Sequence, residues 1–371
     1  MNVLWVAPGG LEPSSGELIP ALYQLLEAMG ERVSLTAVTF EPTHGRPEFL
    51  VETTPVFAVG RPDRSGPLNL RAAWQQMSRL HRVRPFDRVH GFWGTRAAVL
   101  AVAWGRAHRV PVLVSLFGGE PVNLPELDYG GWRSARSRAA LRWVVSHADR
   151  VTAGSPSLIE RLRAVGLEAP WIRWSIGIDQ TPFRAVADAR PSGRIGPSVL
   201  LSVADLGPIK DHPTQLELMA RLRHWRSVVL RIAGDLRPTG TLDPLIHALE
   251  LEECVEVLGK VPHEALPNLY RHADLLIHTS RHEGEGIVFL EAAAAGCPIV
   301  STAVGLIPEM AARGAASMAP VGDAAGLARA VERLLDHPAL RLEQARRAQA
   351  YAAAFDLAPV ADTLMALYHD M

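Results

Sequence analysis

Apolar runs of four to eight residues alternate with amphipathic stretches of helical spacing almost throughout this 371-residue chain. No other feature limits the possible folds as tightly. The runs at 2–7, 33–38, 56–59, 87–91, 111–116, 149–153 and 171–174 read as buried strands. Helical patterns fall between most of them, at 15–29, 68–83, 94–107, 132–147 and 155–164. Parallel neighbours need a long crossover, and a helix is the compact way to make it, so repeated strand–helix–strand units predict doubly wound parallel sheets. A Pro- and Gly-bearing stretch from Ala185 to Pro197 interrupts the series. Strands near 198–203, 227–233, 254–258, 273–278, 298–302 and 315–318 then resume it. Helices near 212–225, 241–250, 263–271, 286–296, 306–313 and 323–335 accompany them.

A chain of this length exceeds the usual size of one core. The expectation is therefore two Rossmann-like α/β domains facing each other across a cleft: residues 1–182, a linker over 183–197, and residues 198–355. Residues 339–370 read as one or two further helices split around Phe355 to Pro359, and a C-terminal helix over 356–371 is expected to complete the first domain. Ligands of open α/β sheets bind beyond the carboxyl ends of the strands, which directs attention to the loops there.

With 48% hydrophobic residues, 21% charged residues and a net charge of −1, the chain lacks the strongly basic balance of a nucleic-acid binder. The N-terminal Met1–Pro8 has neither a basic leader nor a long apolar stretch and reads as a first strand. No window approaches the roughly 18 apolar residues of a membrane span. The two cysteines, Cys254 and Cys297, have no metal-type spacing and fit small core residues in a reducing compartment, so a cytoplasmic location is expected. Neither half carries a G-x-G-x-x-G, HExxH, D-x-D or G-x-S-x-G pattern, so no cofactor and no metal are expected.

Chemistry is concentrated in Glu283-Gly284-Glu285-Gly286-Ile287-Val288-Phe289-Leu290-Glu291. A buried strand over 273–279 leads into this glycine turn, and an alanine-rich helix leaves it and stops at Gly296. Strand, glycine turn and helix aim backbone N–H groups at an anion. The flanking carboxylates, eight positions apart, suit vicinal hydroxyls, since each carboxylate oxygen accepts hydrogen bonds. Phosphate in the middle and polyol at both ends describes a nucleotide sugar. A capping glutamate followed by a solvated helix glutamate would give the same isolated pattern.

The wider context favours the first reading. The series Leu201-Ser202-Val203-Ala204-Asp205-Leu206-Gly207-Pro208-Ile209-Lys210-Asp211-His212, Ile232-Ala233-Gly234, Val257-Leu258-Gly259-Lys260-Val261-Pro262 and Tyr270-Arg271-His272-Ala273-Asp274 precedes the Glu283…Glu291 element. Gly305 and Pro308-Glu309 follow it. In this order the second half closely resembles glycosyltransferase family 4, whose members are retaining enzymes of the two-domain GT-B fold. The first half resembles the family more loosely, at Pro8-Gly9-Gly10, Phe86 to His90, Val114 to Glu120, Ala153-Gly154-Ser155, Gly177-Ile178-Asp179 and Phe183.

The resemblance implies that Glu291 binds the ribose hydroxyls of a UDP- or GDP-sugar and that Glu283 touches the transferred hexose. Gly284, Glu285, Gly286, Ile287 and Val288 would line the donor sugar and diphosphate at a helix N-terminus. Lys210, one of only two lysines beside 36 arginines, would face the diphosphate and lower leaving-group charge. Lys260 and Val261 would pack on the base. On the acceptor side, Gly9, Gly10, His90, Phe117, Gly118 and Glu120 are candidates, with Trp93 and Arg96 beside them; turn geometry or core packing would explain the same residues. The acceptor would be a carbohydrate or a lipid-linked glycan. The helix over 132–143 mixes Arg with Trp at amphipathic spacing, and either a solvated face or contact with the inner membrane surface fits it.

Four positions depart from the family pattern. Asp205 stands where an arginine is common, and Phe117 where a histidine is. Glu285 replaces a phenylalanine, and Leu306 a glycine. Phe117 cannot donate, accept or carry a proton. These changes keep a catalytically silent nucleotide-sugar-binding or partner subunit open, beside an epimerase or a pyridoxal-dependent phosphorylase on the same architecture.

Overall fold

A computed structural model describes residues 1–12, 18–42, 47–60, 66–187, 196–223, 227–235 and 241–371. It divides into two compact units, Met1–Ile178 with Leu357–Met371, and Asp179–Asp356.

The first unit runs β1 (Asn2–Ala7), α1 (Pro20–Gly30), β2 (Ser34–Pro42), β3 (Glu48–Val51), β4 (Thr54–Gly60), α2 (Gly66–Val83), β5 (Arg88–Phe92), α3 (Arg96–His108), β6 (Val112–Leu116), α4 (Ala135–His147), β7 (Arg150–Ala153), α5 (Pro156–Ala164) and β8 (Ile172–Arg173). Its eight-stranded sheet has the order β3-β4-β2-β1-β5-β6-β7-β8. All pairings are parallel except β3 with β4. Every residue of β1 is buried, as the continuous apolar run of a strand covered on both faces requires. The hairpin strand β3 was not foreseen. Its exposure alternates, Leu50 being 68% exposed. Its turn runs through Glu52 at φ +49° with no Gly, Pro or Asn to announce it.

The second unit runs α6 (Thr181–Ala187), β9 (Ser198–Val203), α7 (His212–Leu222), β10 (Val228–Ala233), α8 (Asp243–Ala248), β11 (Val255–Gly259), α9 (Leu266–His272), β12 (Leu275–His278), α10 (Ile287–Ala294), β13 (Ile299–Thr302), α11 (Ile307–Ala312), β14 (Ser317–Ala319), α12 (Ala324–Asp336) and α13 (Pro338–Ala352). Its six-stranded sheet, β11-β10-β9-β12-β13-β14, is parallel throughout. The last helix, α14 (Leu357–His369), packs on α1 and belongs to the first unit.

The expected linker over 183–197 needs correction at its start. Phe183 lies in α6 and is 1% exposed, its ring edge-on to His263 and Tyr270. Residues 188–195 of that stretch lie outside the described residues, as do 15–17 at the start of the expected first helix.

Candidate active site

In the second sheet β9 pairs with β10 on one side and β12 on the other, so the loops leaving β9 and β12 part at the topological switch point. Lys210 closes a single turn of 3-10 helix, Pro208–Lys210, just after β9. Hydrogen bonds lace the loop after β12 to that turn. Thr279 Oγ1 donates to the Lys210 carbonyl at 2.9 Å, Ser280 Oγ to the Ile209 carbonyl at 3.1 Å, and the Arg281 N–H to the same Ile209 carbonyl at 2.8 Å. The lacing delivers Lys210 to Glu283: Nζ lies 2.8 Å from Oε1, and His278 Nε2 lies 2.9 Å from the same oxygen. The Lys210 and Glu283 side chains are 20% and 14% exposed. Burial works against the Glu283 charge. The Lys210 ammonium and the His278 hydrogen bond outweigh it and hold the carboxyl well below the usual carboxylate range. The His278 pKa is lowered as well, here because burial outweighs the Glu283 hydrogen bond, so at neutral pH a neutral imidazole faces an ionised carboxylate.

Helix α10 starts immediately beyond. Gly286 is its N-cap at φ +89°, and no side chain caps the helix. The contrast with α7 and α12 is direct, because Asp211 and Asp323 close those tips with their own carboxylates. Gly286 has no side chain with which to cap α10, so the tip presents first-turn N–H groups and the positive end of its dipole. Gly286 is required sterically, since a Cβ there would strike the Phe289 ring. Gly305, at φ +55°, lets its loop press against the Glu285 carbonyl, which accepts from Leu306 N–H at 2.9 Å. Gly284 and Glu285 are buried, whereas Ile287 and Val288 are half-buried. Leu306, the family departure in that loop, is fully buried.

Glu291 lies in the same helix with its side chain 4% exposed. His263 Nε2 lies 2.9 Å from Oε1, and Tyr270 OH donates to Oε2 at 2.8 Å. Each oxygen keeps a second acceptor direction. The hydrogen bond to Glu291 raises the His263 pKa despite partial burial. Burial, then the Glu291 charge, pushes the Tyr270 phenol well above its ordinary value. His263 follows the loop in which Lys260 is exposed and Val261 half-buried, so that loop and Glu291 are joined through one imidazole. Asp205 is exposed, and its Oδ1 accepts the Gly207 N–H at 2.8 Å, shaping the turn before Lys210.

In the first unit the candidates separate. His90 is not presented to a ligand, which corrects its acceptor-side assignment. It is 0% exposed, with Nδ1 2.7 Å from Tyr368 OH and Nε2 2.7 Å from Ser115 Oγ. Gly10, at φ +88°, sits after β1 with Ile19 so close that a Cβ would lie 2.5 Å from its Cγ1. Gly9 precedes it half-buried. Phe117 is half-buried between Trp93 and Trp174. Glu120 ties two strand-end loops together, accepting Gly94 N–H at 3.0 Å on Oε1 and Gly118 N–H at 2.8 Å on Oε2. Burial raises its pKa against those bonds. Arg96 is exposed, its guanidinium 5.9 Å from the Phe40 ring centroid.

Trp132 and Trp143 pack half-buried on the first core, with Arg142 stacked 5.0 Å over Trp132. Both tryptophans of 132–143 thus face the core, and Arg133, Arg136 and Arg142 are exposed on the outer face. Among the described residues no helix is long and apolar enough to cross a membrane.

Sequence reasoning missed three neighbours of the candidate carboxylates, His263, Tyr270 and His278. Tyr270 was visible as part of a motif, but its role as a donor to Glu291 follows from the packing of α9 beside α10. His263 and His278 gave no spacing signal at all.

Residues 188–354 match the family model "Glycosyl transferases group 1", and residues 16–173 match "Glycosyl transferase 4-like domain". The chain is 32% identical over 280 residues to a glycogen synthase of Mycobacterium tuberculosis, covering 72% of this chain and 65% of that one. It thus spans less than two thirds of that relative's length. It is 29% identical over 320 residues to the D-inositol 3-phosphate glycosyltransferase of Kineococcus radiotolerans, covering 78% of this chain and 72% of the relative. Among solved structures, HepE of Anabaena in complex with UDP superposes with a TM-score of 0.78 at 19% identity, over 100% of both chains. That degree of identity speaks for the fold alone. Models of one enzyme class match both halves, and the fold is shared end to end; the chain belongs to the glycosyltransferases, has the GT-B fold, and resembles family 4.

Proposed function

We propose that this protein transfers a hexose from a nucleoside diphosphate sugar to an acceptor hydroxyl with retention at the anomeric carbon. The observation that carries the reading is the meeting of Lys210 and Glu283, 2.8 Å apart, beside the uncapped tip of α10 at the switch point of the second sheet. In this assignment the diphosphate takes the α10 tip and the Lys210 ammonium, which has three N–H donors to distribute. Glu283 accepts from a sugar hydroxyl and Glu291 from the ribose diol. Lys260 and Val261 serve the base.

In the reaction the bond from the anomeric carbon to the diphosphate oxygen breaks, and a bond to the acceptor oxygen forms on the same face. The acceptor's proton passes to the departing diphosphate, so no protein base is needed and Phe117 is tolerated. Positioning and charge stabilisation then supply the rate. UDP is the first nucleotide to try, because HepE, which shares the fold, was solved with UDP and with UDP-glucose; GDP is the other candidate. Gly9, Gly10, Phe117, Gly118 and Glu120 remain proposed for a carbohydrate or lipid-linked acceptor, Glu120 as the clamp between the loops of Gly94 and Gly118.

Calorimetric titration with UDP, GDP, ADP and TDP, then with the matching sugar conjugates, tests the reading. Glu291→Ala is expected to weaken nucleotide binding about ten- to a hundredfold, the loss of a charged hydrogen-bonded group. Unchanged affinity would remove the ribose assignment. Tight binding of a sugar nucleotide with neither transfer nor hydrolysis would instead favour the silent partner subunit.

A further inference from the structure

His278 is the last residue of β12, paired in register with Ser301 of β13, and its side chain is 2% exposed. Nothing in the donor assignment uses it. Its ring meets Phe289 edge-on, with centroids 5.0 Å apart and planes at 88°. Phe289 is the side chain against which Gly286 is packed. One imidazole thus touches both the sugar-facing carboxylate and the ring that supports the α10 tip.

We propose that His278 is a positioning residue that fixes the plane of the Glu283 carboxylate so that Oε2 meets a hydroxyl of the transferred sugar. The proposal rests on reading Glu283 as the sugar contact. Its geometric basis is that both donors fall on one oxygen: Lys210 Nζ at 2.8 Å and His278 Nε2 at 2.9 Å reach Oε1, and neither reaches Oε2. A single lysine on a flexible stem lets a carboxylate turn about its last bond. A second donor, held rigidly by a strand and a ring contact and arriving from another direction, stops that rotation. An ionised carboxylate only accepts, so the proton of the buried neutral imidazole must sit on Nε2. Loosening such a group by a fraction of an ångström costs rate and sugar affinity while leaving the nucleotide contacts intact.

The test compares wild type, His278→Leu and His278→Gln by calorimetry with UDP and UDP-glucose, run in parallel with GDP and GDP-mannose. For His278→Leu we expect nucleoside diphosphate affinity within about twofold of wild type. The additional affinity contributed by the sugar should fall about tenfold, as for one hydrogen bond to a charged group. His278→Gln, whose amide N–H can replace Nε2–H, should recover most of it. Equal losses for the diphosphate and its sugar conjugate would show a merely structural role and overturn the proposal, as would no loss at all. If His278→Leu fails to fold, nitrogen-15 chemical shifts of His278 in the wild-type protein decide, and an Nδ1–H tautomer overturns the proposal. A wild-type protein that binds no nucleotide sugar overturns the underlying reading, and the proposal falls with it; normal binding with an indifferent His278 overturns the proposal alone.

Discussion

Glu283 stays ionised in a largely buried place because Lys210 and His278 stand beside it and outweigh the cost of burial. Removing one member of a buried pair leaves an uncompensated charge, which costs roughly 3–5 kcal/mol when burial is complete and less here, where both groups retain some exposure. Lys210→Met is therefore expected to lower stability by about 2–3 kcal/mol. Lys210→Met combined with Glu283→Gln should recover at least half of that. Chemical denaturation of the two variants measures it, and a double variant no more stable than the single one would show that the pair is not energetically coupled. Asp205 gives the same lesson in reverse. As a residue type it looks like a repulsive neighbour for a diphosphate, yet its carboxylate is occupied in shaping the turn that ends at Lys210.

The element that matters most is α10, whose tip depends on a single glycine. At φ +89° an L side chain is strained, and here its Cβ would also collide with Phe289. Gly286→Ala is expected to destabilise the protein by about 1–3 kcal/mol, the usual cost of forcing such backbone. It should also weaken nucleotide diphosphate binding by more than Ala at half-buried Val288 does, because it moves the N–H groups of the first turn. Melting temperature together with calorimetry checks both parts; full stability with full affinity would mean that the tip is not the phosphate seat. The strand–turn–helix succession around Gly286 could be read from apolar periodicity and glycine placement. The polar stitching from Thr279, Ser280 and Arg281 to the turn at Lys210 could not, because it joins residues about 70 positions apart.

At the scale of the molecule, each unit is a doubly wound sheet with its own switch point, and α14 is bound into the first through a buried hydrogen-bonded chain. Trp5 Nε1 donates to Tyr368 OH at 2.9 Å, Tyr368 OH lies 2.7 Å from His90 Nδ1, and His90 Nε2 lies 2.7 Å from Ser115 Oγ. Tryptophan can only donate, so the tyrosine donates onward to Nδ1 and His90 holds its proton on Nε2. Burial lowers the His90 pKa well below its ordinary value. Below about pH 6.5 the unfolded chain takes up a proton at this histidine and the folded chain does not, so stability is lost as the pH falls. His263 and Glu120, whose values are raised, act in the opposite sense. The prediction is therefore a difference. The stability advantage of wild type over His90→Gln should shrink between pH 7 and pH 5, by at most about 1.4 kcal/mol per pH unit. Denaturation of both proteins across that range checks it, and a constant difference would mean that His90 titrates normally.

The order of residues alone implied two doubly wound α/β units, nearly every strand, and the segment proposed here for the donor. Those features follow from local periodicity, glycine placement and the order of motifs along the chain. Which side chains gather around that segment emerged from the packing. Lys210 pairs with Glu283, His278 shares the same oxygen, Tyr270 and His263 hold Glu291, and His90 turns inward. Each of these depends on which strands become neighbours in a sheet whose order differs from the chain order. A hydrogen bond between distant residues leaves no period in the sequence, because the distance it spans exists only after the sheet has assembled.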